Sequence, residues 1–332
     1  MAKVKDIARL DCADPADKMV RLVLRAQLKA MCGRRDKALD WKDPEGVHDM
    51  RVLSRRLRSA LGDFKPYVRK ATFPRIKLRA IANSLGDVRD EDVALMALEE
   101  LKSKAKGAAA EGIEILAEER RKRRKEVRAI LRASLKKSTI EDFRKEFLAK
   151  LRTIAIVFPK KSSGPDADDA PSFRSVGVEI IKASLKDFCA ASPRLYLPFE
   201  IKDLHELRIL AKRLRYAIEL FAVCWGEELG PIAKEIALLQ NSLGELHDCD
   251  VWINGLGSRL KRTARQKSDG DLLKLREGAG WLLKHFARER MDHYRDALAR
   301  WEHWQADGVF EELILILDRD LMPAKQTAKV HF

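Results

Sequence analysis

The stretch VHDMRVLSRRLRSALGDF, Val47–Phe64, sets a histidine and four arginines against a helical repeat of apolar residues. At about 100° per residue, Met50, Leu53, Leu57, Leu61 and Phe64 fall on one side of the wheel. His48, Arg51, Arg55 and Arg58 fall on the other side, with Arg56 on the flank. The stretch therefore reads as an amphipathic helix, one stripe for a core and the opposite stripe basic. Like charges at i,i+3 and i,i+4, such as Arg51/Arg55 and Arg55/Arg58, repel by about 0.2–0.5 kcal/mol per pair. An ordinary solvated face relieves that repulsion with interspersed glutamates, and few acids interrupt this one.

The pattern recurs 157 residues on, as LHELRILAKRLRYAIELF over Leu204–Phe221. His205, Arg208, Lys212 and Arg215 share its basic face, and Arg213 matches Arg56. A second block repeats in the same order: Asn-Ser-Leu-Gly at 83–86 and 241–244, then Asp90, Asp92 and Val93 as Asp248, Asp250 and Val251. A fainter match pairs Arg25, Lys29 and Cys32 with Lys182, Lys186 and Cys189. Repeats found in this order mean a duplicated chain. It divides into a first half, residues 1–158, a polar proline-rich linker, PKKSSGPDADDAPS over 159–172, and a second half, residues 173–332.

Each half reads as about four helices, near 16–32, 45–66, 72–98 and 110–150, then near 173–190, 202–224, 228–256 and 271–304. The third helix of each half is expected to break, at Gly86 and at Gly244, and Val309–Leu317 to cap the bundle. Ile154–Phe158 suits a short strand or a helix end equally. The expected fold is all-α: two antiparallel four-helix bundles that can pack about a pseudo-twofold axis and bring the two basic faces together. Faces so placed repel strongly unless a polyanion sits between them.

Composition agrees. The 332 residues hold 66 Lys and Arg against 51 Asp and Glu, a net charge of +15, so an anionic partner is expected. With 46% hydrophobic residues and only 17 Gly and 11 Pro, the chain can bury a core and favours long helices. No apolar run approaches the roughly 18–20 residues that cross a bilayer, so no membrane insertion is expected. No apolar leader with a small-residue cleavage site opens the sequence, and five scattered cysteines fit reduced thiols in the cytoplasm. No cofactor is implied. Further cations at helical spacing are Arg21, Arg25 and Lys29, Lys182 and Lys186, Arg120 and Arg124 within ERRKRRKEVR, and Lys284 with Arg288.

The pattern His-x-x-Arg-hydrophobic-x-x-(Arg/Lys)-Arg-Leu-Arg, followed by Leu-Gly-x-x-(Arg/His)-Asp-x-Asp-Val, resembles the conserved histidine α-helical domain, CHAD. Both motifs occur in both halves, and the resemblance spans about Asp17 to Trp304. It implies a basic cavity that binds inorganic polyphosphate, and association with polyphosphate granules. Carried over, the motif positions are His48, Arg51, Arg55, Arg56 and Arg58, then His205, Arg208, Lys212, Arg213 and Arg215. His247 stands where the first half has Arg89, a departure from a common anion-binding position.

Other function classes find less support. No P-loop and no His-Glu-x-x-His is present. His247-Asp248 is the type of pair that helical metal-dependent phosphohydrolases use, yet its counterpart is Arg89-Asp90, and arginine does not ligate a cation. Asp90, Asp92, Asp248 and Asp250 read as helix N-caps or as partners that orient arginines. A nucleic-acid binder would interleave aromatics for stacking, and only Tyr216 lies within the basic motifs, while most of the tryptophans read as core. An adaptor using the apolar stripes for oligomerisation is not required, since the duplicated halves can close their stripes into bundles within the chain. A bound polyanion should raise the histidine pKa values, so tighter binding is expected below about pH 6.5.

Overall fold

The computed structural model describes residues 7, 9–69, 72–157, 170–266 and 269–319. The linker, apart from its last three residues, falls outside this set. Among the described residues the protein is all-α, with eleven α-helices. They are α1 (Ala16–Cys32), α2 (Arg35–Ala38), α3 (Pro44–Asp63), α4 (Arg75–Lys104), α5 (Ala108–Ser134) and α6 (Lys137–Thr153). Then follow α7 (Phe173–Ala191), α8 (Ile201–Phe221), α9 (Leu229–Thr263), α10 (Gly270–Asp307) and α11 (Val309–Asp318). Shifted by 157 residues, α1 and α3 fall on α7 and α8, the spacing of the sequence repeat.

Local chemistry fixes several ends. Asp43 accepts the Glu45 N–H at 3.0 Å to open α3, with Pro44 in the first turn. Ser172 and Asp269 accept the N–H groups of Ser175 and Leu272 at 3.2 and 2.8 Å to open α7 and α10. Gly308, at φ 65°, closes α10 and turns the chain into α11.

Three expectations need correction, and the alternative left open at 154–158 is decided. The single helix anticipated over 110–150 is two, α5 and α6, parted at Leu135–Lys136. Leu135 is fully buried there, so packing sets the turn, with no glycine or proline to announce it. Gly86 and Gly244 do not break α4 and α9, which run unbroken for 30 and 35 residues. Residues 155–156 are a strand, paired antiparallel with Val68–Arg69. Cys12 and Cys224 are joined in a disulfide, and Cys32, Cys189 and Cys249 are free thiols.

The hydrophobic stripes close two cores, and each draws on both sequence copies. The larger gathers Met19, Leu24, Leu57 and Phe64 from the first copy with Phe173, Phe188, Leu214 and Phe221 from the second. Phe64 meets Phe221 edge-on, with ring centroids 6.1 Å apart. Helices α4 and α9, about 45 and 52 Å long by their rise per residue, extend past this core. Their far halves pack with α5 and α10 into a second core around Leu98, Ile113, Leu256, Ala279 and Leu282. There α5 and α10 cross at Gly112 and Gly278. A Cβ on Gly112 would lie 1.8 Å from the Lys274 carbonyl oxygen, and one on Gly278 would lie 2.6 Å from Ile113 N. Only glycine permits that approach.

Candidate functional site

The basic stripes of α3 and α8 do converge. Arg51 and Arg55 from α3 and Arg208 from α8 line one cavity of about 440 Å³, whose walls also include α4, α5 and α9. Each glycine of the Leu-Gly motif faces one arginine. A Cβ at Gly86 would sit 3.8 Å from Arg51 Nε, and one at Gly244 would sit 3.7 Å from Arg208 Nε, both ordinary contacts.

Arg51 pairs with Asp90 of α4 at 3.2 Å. Asp90 and Asp248 both line the cavity, and both pKa values are raised, first by burial, against the lowering pull of Arg51 on each. Arg55 has its pKa lowered by burial, with Arg51, Arg215 and Arg208 adding to the effect. Lys212, at the position of Arg55 in the second copy, is pushed down to about 7 by burial and by Arg208, Arg55, Arg51 and Arg215. Cations from both copies thus crowd one space. The Nε atoms of Arg55 and Arg208 are buried and have no hydrogen-bond partner among the described residues.

The histidines divide differently from the motif reading. Neither His48 nor His205 lines the cavity; His247 does. His205 stands beside His247, with their Nδ1 atoms 3.3 Å apart. His247 is held down at about 4 by burial, Arg208 and His205. His48 and His205 are also lowered, mainly by burial, then by Arg89 and by Arg208 respectively.

The remaining sequence candidates have other surroundings. Arg56 bonds Glu219 of α8 at 2.8 Å, and Arg213 reaches back to buried Asp63 of α3 at 3.7 Å, so these flank residues bind the two motif helices together. Arg215 pairs with Glu219 at 3.3 Å. Arg58 is exposed near Arg79. Arg21 donates to the carbonyls of Leu151 and Ile154 at the end of α6. Lys182 pairs with Asp318 at 2.5 Å. Arg25, Lys29, Lys186, Lys284 and Arg288 are exposed and do not line the cavity. Arg120 does line it, bonded to Glu91 at 3.0 Å. Arg124 lies 3.5 Å from Asp92, beside Arg128 at 3.1 Å.

The motif aspartates are not N-caps, because all four lie inside α4 and α9. They orient arginines instead. Asp92 holds Arg128 of α5, and its counterpart Asp250 holds Arg290 of α10 at 2.6 Å. Sequence reasoning missed Arg290, and also Arg259 and Arg262 on the cavity wall. The signal was there: Asp248, Trp252, Gly255, Arg259 and Arg262 follow helical spacing along one face of α9. Trp252, grouped with the core residues in the sequence, lines the cavity too.

These features define an all-helical protein with arginines of two repeated motifs gathered on one cavity. The CHAD domain family model matches residues 22–257, and the chain belongs to that family. Among solved structures, the crystal structure of the CHAD domain from the plant Ricinus communis superposes with a TM-score of 0.66 at 19% identity, over 88% of this chain and 93% of that one. PptA from Streptomyces chartreusis gives 0.64 at 15% identity, over 87% of this chain and all of that one, 100%. No curated protein matches the sequence. No helix among the described residues is long and apolar enough to cross a membrane.

Proposed function

We propose that the protein binds inorganic polyphosphate, without catalysis, in the cavity between α3 and α8. The observation that carries this reading is Arg51 and Arg208, the same motif position in two copies, on one cavity wall. Two duplicated bundles facing each other across a pseudo-twofold axis account for that meeting, with residues 1–158 and 173–332 as the two units. Guanidinium groups present planar forks matched to phosphate oxygens and stay charged at all relevant pH values. Arg55 and Arg208 line the cavity, and their buried Nε atoms have no hydrogen-bond partner among the described residues, which supports a role for both guanidinium groups in binding such oxygens. A flexible phosphate polymer relieves cation crowding at many points at once, so affinity rises with its chain length.

Metal-dependent hydrolysis is less well supported. His247 and Asp248 line the cavity beside Arg208, whose charge opposes a bound cation. Recruitment to polyphosphate granules follows from polymer binding. The cytoplasmic setting inferred from scattered cysteines is weighed against by the Cys12–Cys224 bond, since disulfides persist best under oxidising conditions.

The test is calorimetric titration with long-chain polyphosphate beside RNA and DNA of equal charge, at physiological salt. Polyphosphate binds more tightly than either nucleic acid under this reading. The Arg51→Ala/Arg208→Ala double variant should weaken it at least about 100-fold, two charge-assisted contacts being lost, with helical circular dichroism unchanged. Unaltered affinity in that variant overturns the site, and preference for nucleic acid overturns the function.

A further inference from the structure

The cavity has a second chemistry that a string of phosphates does not use. Beyond Arg51 and Arg208 its wall turns apolar, through Val93, Leu98, Leu116, Val251 and Leu256. Leu98 and Leu256 belong to the second core, whereas Val93 and Val251 stay 44% and 57% exposed at matching positions of the repeat. Trp252 lies at this end, its ring stacked on Phe286 at 4.9 Å and 7°. The Arg120 guanidinium lies over that ring, 5.4 Å from its centre, and lines the same wall. Arg259 is clamped by Glu119 at 2.5 Å and Arg262 lies close by. A polymer of phosphate alone gains nothing from the apolar wall and leaves it wet.

We propose that the cavity also accepts nucleoside oligophosphates, with the phosphates at Arg51 and Arg208 and the base against Arg120, held over Trp252, and the apolar wall. This rests on the phosphate-binding reading above and adds the class of headgroup joined to the phosphates. A volume of about 440 Å³ lies within the range that holds a small ligand. With Phe286 stacked on Trp252 and Arg120 over it, the planar face offered to a base is the guanidinium that Trp252 holds in place. Trp252 and Phe286 come from α9 and α10, so the support for that face is preformed by the second core.

The experiment compares ATP with inorganic tripolyphosphate, equal in phosphate number, by calorimetry on the whole chain. Single-stranded RNA and long-chain polyphosphate run in parallel. ATP should bind about five- to a hundredfold more tightly than tripolyphosphate, the range expected for one stacked base. Trp252→Ala should erase that margin and leave tripolyphosphate within about twofold. Gly255→Leu gives the same readout without removing a packed ring, because a Cβ at Gly255 meets nothing within 4 Å and the larger side chain fills the apolar end. ATP no tighter than tripolyphosphate, with long polyphosphate still bound, overturns this inference and leaves the proposed function standing. RNA bound in preference to ATP also overturns it, and failure of every phosphate compound to bind sinks both readings.

Discussion

Lys212 occupies the place that Arg55 holds in the first copy, and the exchange makes one cation of the cluster titratable near neutrality. Its folded pKa, about 7, lies below the ordinary lysine value, so between about 7 and the unfolded value near 10.5 the unfolded chain binds more protons. That contribution therefore adds stability as pH rises through this window. Binding has the opposite sign. A polyanion favours the ammonium, so the complex takes up a proton, and polyphosphate affinity should fall as pH climbs from about 7 to 9. Lys212→Arg should flatten the profile, as read by calorimetry at several pH values; an unchanged slope would count against Lys212 as its source. The histidine switch drawn from the motif sits lower than that reading placed it, because burial and neighbouring cations lower the pKa values of His48, His205 and His247, that of His247 to about 4. At this scale the sequence wheel put Arg51 and Arg55 on one basic face and Arg208 on its counterpart, and all three line the cavity. It set Arg56 on the flank but could not give Arg56 and Arg213 their partners, because these are acids on the opposite helix, Glu219 for one and Asp63 for the other.

Helices α5 and α10 are held in two ways: by the glycine crossing and by the buried pairs that Asp92 and Asp250 make with Arg128 and Arg290. Asp250 is 4% exposed and Arg290 11%, so removing the carboxylate strands a buried cation. Asp250→Ala should cost about 3–5 kcal/mol by urea denaturation. Gly278→Ala forces two backbones apart and should cost about 1–3 kcal/mol, whereas Gly86→Ala should cost less, its nearest neighbour being Arg51 Nε at 3.8 Å. Equal losses for the two glycine variants would contradict the crossing. Helix positions were legible where amphipathic runs met caps, as at Asp43 and Ser172. The glycine that governs packing was not the one the motif advertised: Gly112 and Gly278 matter because of what crosses over them, which no local pattern reports. The division of α5 from α6 escaped for the same reason, since buried Leu135 turns the chain without a breaker.

Over the whole molecule, the duplicated sequence announced its two copies, yet it did not reveal that they share their hydrophobic interiors. The Cys12–Cys224 bond adds a covalent tie across 212 residues of chain. Thiol titration of the unfolded, unreduced protein should count Cys32, Cys189 and Cys249 alone, and Cys12→Ser should lower stability by about 2–4 kcal/mol. Five reactive thiols would show that the bond does not form in the protein as isolated. The glycine crossing carries the further consequence that the two copies are one folding unit. Protease cleavage introduced at residues 159–172 of the Cys12→Ser variant, where no disulfide links the halves, should yield fragments that remain associated and keep their helicity, while either one expressed by itself should aggregate through its uncovered flank. Co-expressed, the pieces should find each other unaided, so that the duplicated chain behaves as a lock split into two mutually dependent parts.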